Sequence, residues 1–119
     1  MSTHCGIAVK TEEGYKTIFC HHDGYPRYML KMLTENYNSE ELANKLVNLG
    51  DASYIDPLLE PTSDYHKFNM PEPNVSMFYH RDRGEDWDDV APKTFTRDEL
   101  CSLFYFVYAW ENGKWNQLH

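Results

Sequence analysis

The stretch Cys20-His21-His22-Asp23-Gly24-Tyr25-Pro26 decides the fold, because a run of strand-forming residues stops there and a helix begins. Asp23-Gly24 is a turn signal, and Pro26 has the fixed φ and missing donor that suit the first turn of a helix. Upstream, residues Cys5 to Lys10 and Tyr15 to His21 are rich in Ile, Val, Phe and Tyr and flank the polar turn Thr11-Glu12-Glu13-Gly14, which predicts an antiparallel hairpin. Downstream, Met29, Leu30, Leu33 and Tyr37 recur at helical spacing, so a helix is expected from Pro26 to about residues 36–38.

A second helix is expected with Asn38 or Ser39 as its N-cap, Asn38 and Glu41 having the spacing of a capping box. Leu42, Leu46 and Leu49 form its apolar stripe, and Gly50 stands where a left-handed cap ends a helix. Residues 51–73 hold several prolines and polar turn formers and read as a long irregular connection, long enough to suspect function. A third strand is expected over Val75 to Arg81, followed by a charged loop over residues 82–89. Thr96-Arg97-Asp98-Glu99 is a helix cap, the aromatic run Leu103 to Trp110 should end as strand, and Asn112-Gly113 predicts a closing hairpin. The order β-β-α-α-β-(short α)-β-β implies a single α+β domain over residues 1–119, with a mostly antiparallel sheet and the helix pair packed on one face.

The chain has 119 residues, large enough for one hydrophobic core and too small for two, and its nine Tyr, six Phe and three Trp supply the area to bury. Nineteen acidic against eleven basic residues leave a net charge of -8, and no Lys/Arg cluster tracks a phosphate backbone. Direct nucleic-acid binding and attachment to an anionic membrane are disfavoured, whereas a protein with a basic surface is a favoured partner. The alternative is that the surplus of carboxylates serves only solubility. Cys5, Cys20 and Cys101 are odd in number and widely spaced, which fits a reducing, cytoplasmic setting, and residues 1–20 lack the apolar core of a signal peptide.

The corner at residues 20–26 also gathers reactive groups. If the strand runs on to His22, Cys20 and His22 share a face as half of a metal site, with His21 opposite. Further ligands are only scattered, so no metal or other cofactor is expected, and Cys20 reads as a small core hydrophobe. His21, His22 and His80 carry imidazoles, the side chain suited to proton transfer at physiological pH, and are the candidates for acid–base chemistry. In His80-Arg81-Asp82-Arg83-Gly84-Glu85 the arginines are candidates for binding an anion and a carboxylate for a base, although alternating charge before a glycine more often makes a salt-bridged loop. Walker, dinucleotide, nucleophile-elbow and H-E-x-x-H signatures are absent from the sequence, which favours binding over catalysis.

Three fragments in order, Cys20 to Pro26, the helix pair with Tyr37-Asn38 and Leu49-Gly50-Asp51-Ala52-Ser53, and Tyr79-His80-Arg81-Asp82-Arg83-Gly84-Glu85, resemble a family of small proteins encoded by bacteriophages and prophages. The family often has a small residue soon after the proline, where this chain has Arg27-Tyr28-Met29-Leu30. The resemblance implies an accessory protein acting in the host cytoplasm and carries over no catalytic residues. The leading expectation is a counter-defence or host-takeover protein that inhibits a host nucleic-acid-binding complex through Asp82, Arg83, Glu85, Asp86, Trp87, Asp88 and Asp89. The competing expectation is a small enzyme or binding protein for a nucleotide-like anion, using His21, His22, Arg81 and Arg83. A third is a homodimer joined through the aromatic terminal hairpin.

Overall fold

The computed structural model describes residues 3–119. Strands β1 (Cys5–Thr11) and β2 (Gly14–Cys20) form the expected hairpin, paired from Cys5 opposite Cys20 to Thr11 opposite Gly14. Helix α1 (Pro26–Asn36) starts at the proline, and α2 (Glu40–Val47) is capped by Ser39, whose hydroxyl accepts the Leu42 N–H at 3.1 Å. There follow β3 (Ala52–Tyr54), β4 (Met77–Phe78), α3 (Tyr79–Arg83), α4 (Trp87–Val90), β5 (Lys93–Phe95), α5 (Arg97–Leu103), β6 (Val107–Glu111) and β7 (Lys114–Gln117). The class is α+β, built on one seven-stranded mixed sheet.

The strands lie in the order β4-β3-β2-β1-β6-β7, with β5 pairing the start of β2. Most pairings are antiparallel, but β1 runs parallel to β6 and β2 to β3. Alternation along the central strands sorts the core into two clusters. Cys5, Ile7 and Val9 of β1 join Tyr108 and Trp110 of β6, together with Met29 and Leu33 of α1 and Ala43, Leu46 and Val47 of α2. Ala8, Val107 and Ala109 fall in the other cluster, with Tyr15 and with Leu100 of α5. Among the described residues no helix is long and apolar enough to cross a membrane.

The corner after β2 is built by an unexpected division of labour. Asp23 takes the left-handed conformation (φ 58°), and Gly24 serves close approach: a Cβ there would lie 2.7 Å from Cys5 Cβ and 2.8 Å from the His4 carbonyl carbon. Tyr108 locks the same turn by donating to the Gly24 carbonyl at 2.7 Å.

Two expected elements are corrected. The strand predicted over Val75 to Arg81 is only Met77–Phe78, and the chain then coils into α3. The cause is Asp82, whose carboxylate reaches back to accept the Phe78 N–H at 2.9 Å and satisfies a donor at the helix start. The loop predicted over residues 82–89 is the end of α3, closed by left-handed Gly84 (φ 78°), followed by α4 with Asp86 as N-cap. The run Leu103 to Trp110 ends as strand as expected, with β6 beginning at Val107 after α5 finishes at Leu103. The short β3 and β5 were absent from the expected order; each is three residues long and is defined by its neighbours in the sheet.

Candidate functional site

Past β2, backbone pairing continues through the N–H groups of His21 and His22, which donate to the carbonyls of Ala52 and Ser53 at 3.0 and 2.9 Å. The regular alternation of side chains stops at Cys20. The His21 ring lies 4.6 Å from that of His4 and 4.5 Å from that of His22, with Phe19 edge-on at 5.7 Å. Partial desolvation lowers the His21 pKa, and the neighbouring His22 and His4 lower it further, so the imidazole resists protonation. Cys20 is fully buried and its thiol meets Cys5, whose own pKa is raised by that hydrogen bond and by burial. Cys20 Sγ also contacts the His22 carbonyl at 3.5 Å. The cysteine is therefore part of the core. Among the described residues no group of three or more His, Cys, Asp or Glu is placed to hold a metal ion.

His80 lies elsewhere. It follows β4, which runs antiparallel to β3, and Tyr79 donates to Asp51 before the start of β3, whereas His22 pairs with Ser53 further along the same strand. The His80 ring meets Trp87 at 5.2 Å, and its Nδ1 lies 2.8 Å from the Glu85 carbonyl. The sequence candidates His21, His22 and His80 thus fall into two separate groups.

The structure reveals a buried polar network that the sequence reading missed. Asp82 is 8 % exposed, and Arg81 grips its carboxylate with Nε at 2.8 Å and a terminal nitrogen at 3.0 Å. The same guanidinium donates to the carbonyls of Leu59 (2.7 Å) and Ser76 (3.0 Å). His66 Nε2 faces Asp82 at 3.4 Å, while its Nδ1 accepts the Glu72 N–H at 2.9 Å. Glu72 in turn receives the backbone N–H groups and the hydroxyls of Thr62 and Ser63, which hold its pKa down at about 2.

A buried His–Asp pair resembles a catalytic dyad, but the protons say otherwise. Because Nδ1 accepts an amide proton, neutral His66 carries its own proton on Nε2, which is buried 3.4 Å from Asp82 without completing a hydrogen bond. Neither ring nitrogen offers a lone pair to a substrate. The network is a latch that fastens the long connection onto α3. No local motif marks it, since His66 and Asp82 meet only through the tertiary fold.

The expected binding segment is divided by this arrangement. Asp82 and Arg81 point inward and are saturated by protein groups, which removes Arg81 from an anion site and Asp82 from the surface. Arg83 stays outside, with its guanidinium 4.8 Å from the centre of the Phe68 ring and 5.5 Å from that of Tyr79, and it pairs with Glu85 at 3.7 Å. Asp86 caps α4 by accepting the Asp88 N–H at 3.3 Å. Asp88 and Asp89 are exposed, and Trp87 is 37 % exposed beside Gly50. In the terminal hairpin, Trp110 and Trp115 are 8 % and 6 % exposed and pack edge to face at 5.7 Å, so these indoles are turned inward and are not displayed for dimerisation. Comparison with protein-family models, curated proteins and solved structures finds no match to this chain.

Proposed function

We propose that the chain is a phage-type accessory inhibitor that binds a basic host protein, of the kind that normally holds nucleic acid, through the face around α4. The observation that carries this reading is the grouping of exposed Asp86, Asp88 and Asp89 around half-exposed Trp87. Exposed carboxylates steer a basic surface into place, and a tryptophan at their centre supplies the desolvated anchor on which interface energy concentrates. The net charge of -8 and the bacteriophage resemblance support the same reading. In it, the pair α1 and α2 serves as cover for one face of the sheet and leaves the α3–α4 end for the partner.

The test is a combined Asp86→Lys, Asp88→Lys and Asp89→Lys variant, compared with reversal of Glu12 and Glu13 on the β1–β2 turn. Capture from host lysate should recover a stoichiometric, positively charged protein with the parent chain and with the turn variant, and lose it with the α4 variant. Equal recovery by all three would refute the assignment.

A further inference from the structure

Among the described residues eight large apolar side chains stand exposed, and four of them, Leu58, Tyr65, Phe68 and Met70, come from one short stretch of the connection between β3 and β4. Met70 is 58 % exposed and Tyr65 47 %. A loop that needed only solubility would not concentrate such residues, and solvated loops normally carry polar ones.

The stretch is also rigidly built from beneath. Leu58 donates to Asn74 and accepts from Ser76, both at 2.9 Å; Phe68 donates to the Asp82 carbonyl at 2.9 Å; and Lys67 and Met70 pair across a tight turn. Between these points Glu72 accepts the Ser63 N–H, His66 accepts the Glu72 N–H, and Arg81 donates to the Leu59 carbonyl. The backbone beneath these exposed side chains is thus held in place before any partner arrives, which lowers the ordering cost of binding.

Ring contacts connect this loop to the acidic face. Phe68 lies 6.1 Å from Tyr79, Arg83 covers both rings, and the adjacent His80 meets Trp87. Exposed Glu60, Asp64, Asp86, Asp88 and Asp89 accompany this strip, against Lys67 and an Arg83 already paired with Glu85. An acidic border repels nucleic acid and anionic lipid and selects a protein surface whose Lys and Arg surround apolar side chains.

We propose that the loop carrying Tyr65, Phe68 and Met70 is a preformed apolar anchor for the same basic protein partner, extending the α4 face into one continuous interface. The inference rests on the acidic-face reading given above and adds the apolar chemistry of the contact. Aromatic residues, Met and Arg are the types enriched at interface cores.

Two synthetic peptides of equal length and equal lysine content test it, one with tryptophan and leucine between the lysines and one with serine. Calorimetric titration of the full chain should show the apolar peptide binding about tenfold tighter, the scale of one anchored side chain. In a Phe68→Ser, Met70→Ser variant the two peptides should bind alike, at the strength of the serine peptide. Equal binding of both peptides to the parent chain overturns the anchor and leaves the acidic face standing; no binding of either overturns both. Should the double variant fail to fold, the parent chain decides: the apolar peptide must shift the Met70 methyl resonance, and an unshifted methyl overturns the proposal.

Discussion

Replacing Asp82 by Ala tests whether the network under the long connection holds the fold together. The carboxylate accepts two bonds from Arg81 and one from the Phe78 N–H and faces His66, and its side chain is 3 % exposed. Breaking a buried ion pair from one side costs about 3–5 kcal/mol, and an orphaned amide adds about 1–3 kcal/mol. The Arg81 side chain is 21 % exposed and keeps the Leu59 and Ser76 carbonyls, so the lower end applies and the losses overlap. We expect about 3–4 kcal/mol, a large share of the stability of a domain this size, and a fall in Tm of about 10–15 °C. Urea unfolding followed by circular dichroism measures it, with exposed Asp89→Ala as a control expected within about 0.5 kcal/mol of the parent. Asp82→Asn, which keeps an acceptor for Phe78, should lose less. Hydrogen exchange should quicken at the Phe68 and Glu72 amides, the donors that tie the connection to Asp82 and His66. An Asp82→Ala protein as stable as Asp89→Ala, with both amides still protected, would refute the role given to the network.

Two further outcomes follow from particular contacts. Glu72 has a folded-state pKa of about 2, below its ordinary 4.5, so its contribution is fully present above pH 4.5 and is lost as pH falls through about 2. The Thr62 and Ser63 amide resonances should therefore titrate near pH 2; a midpoint at the ordinary carboxylate value would contradict the geometry. Gly24→Ala should cost about 1–3 kcal/mol in urea unfolding, because the new methyl meets Cys5 Cβ and the backbone of His4, neither of which can rotate away. Unchanged stability would show that the corner is not closely packed.

Much of the local structure was legible because its determinants are neighbours in sequence. Pro26 opens α1, Ser39 caps α2, Thr96 and Glu99 form a reciprocal capping box, and Asn112 and Gly113 both adopt positive φ (57° and 75°) in the closing turn. These effects act over a few residues, and the residue types alone encode them. The three-residue strands β3 and β5 were not legible, since so few positions show no periodicity and their partners lie far along the chain.

The charged segment after β4 shows where the sequence by itself stopped. From residue types it was a run of alternating charge bound for solvent. The tertiary structure turned Arg81 and Asp82 inward to secure the connection, and left Arg83, Asp86, Asp88 and Asp89 outside. Adjacent residues of one helix point in different directions, and which direction is inward depends on what else packs there, here His66, Leu59 and Ser76. The sequence by itself determined the hairpins, the caps and the net negative charge; only the tertiary structure decided which charges are internal ties and which remain at the surface, because burial is a property of distant contacts.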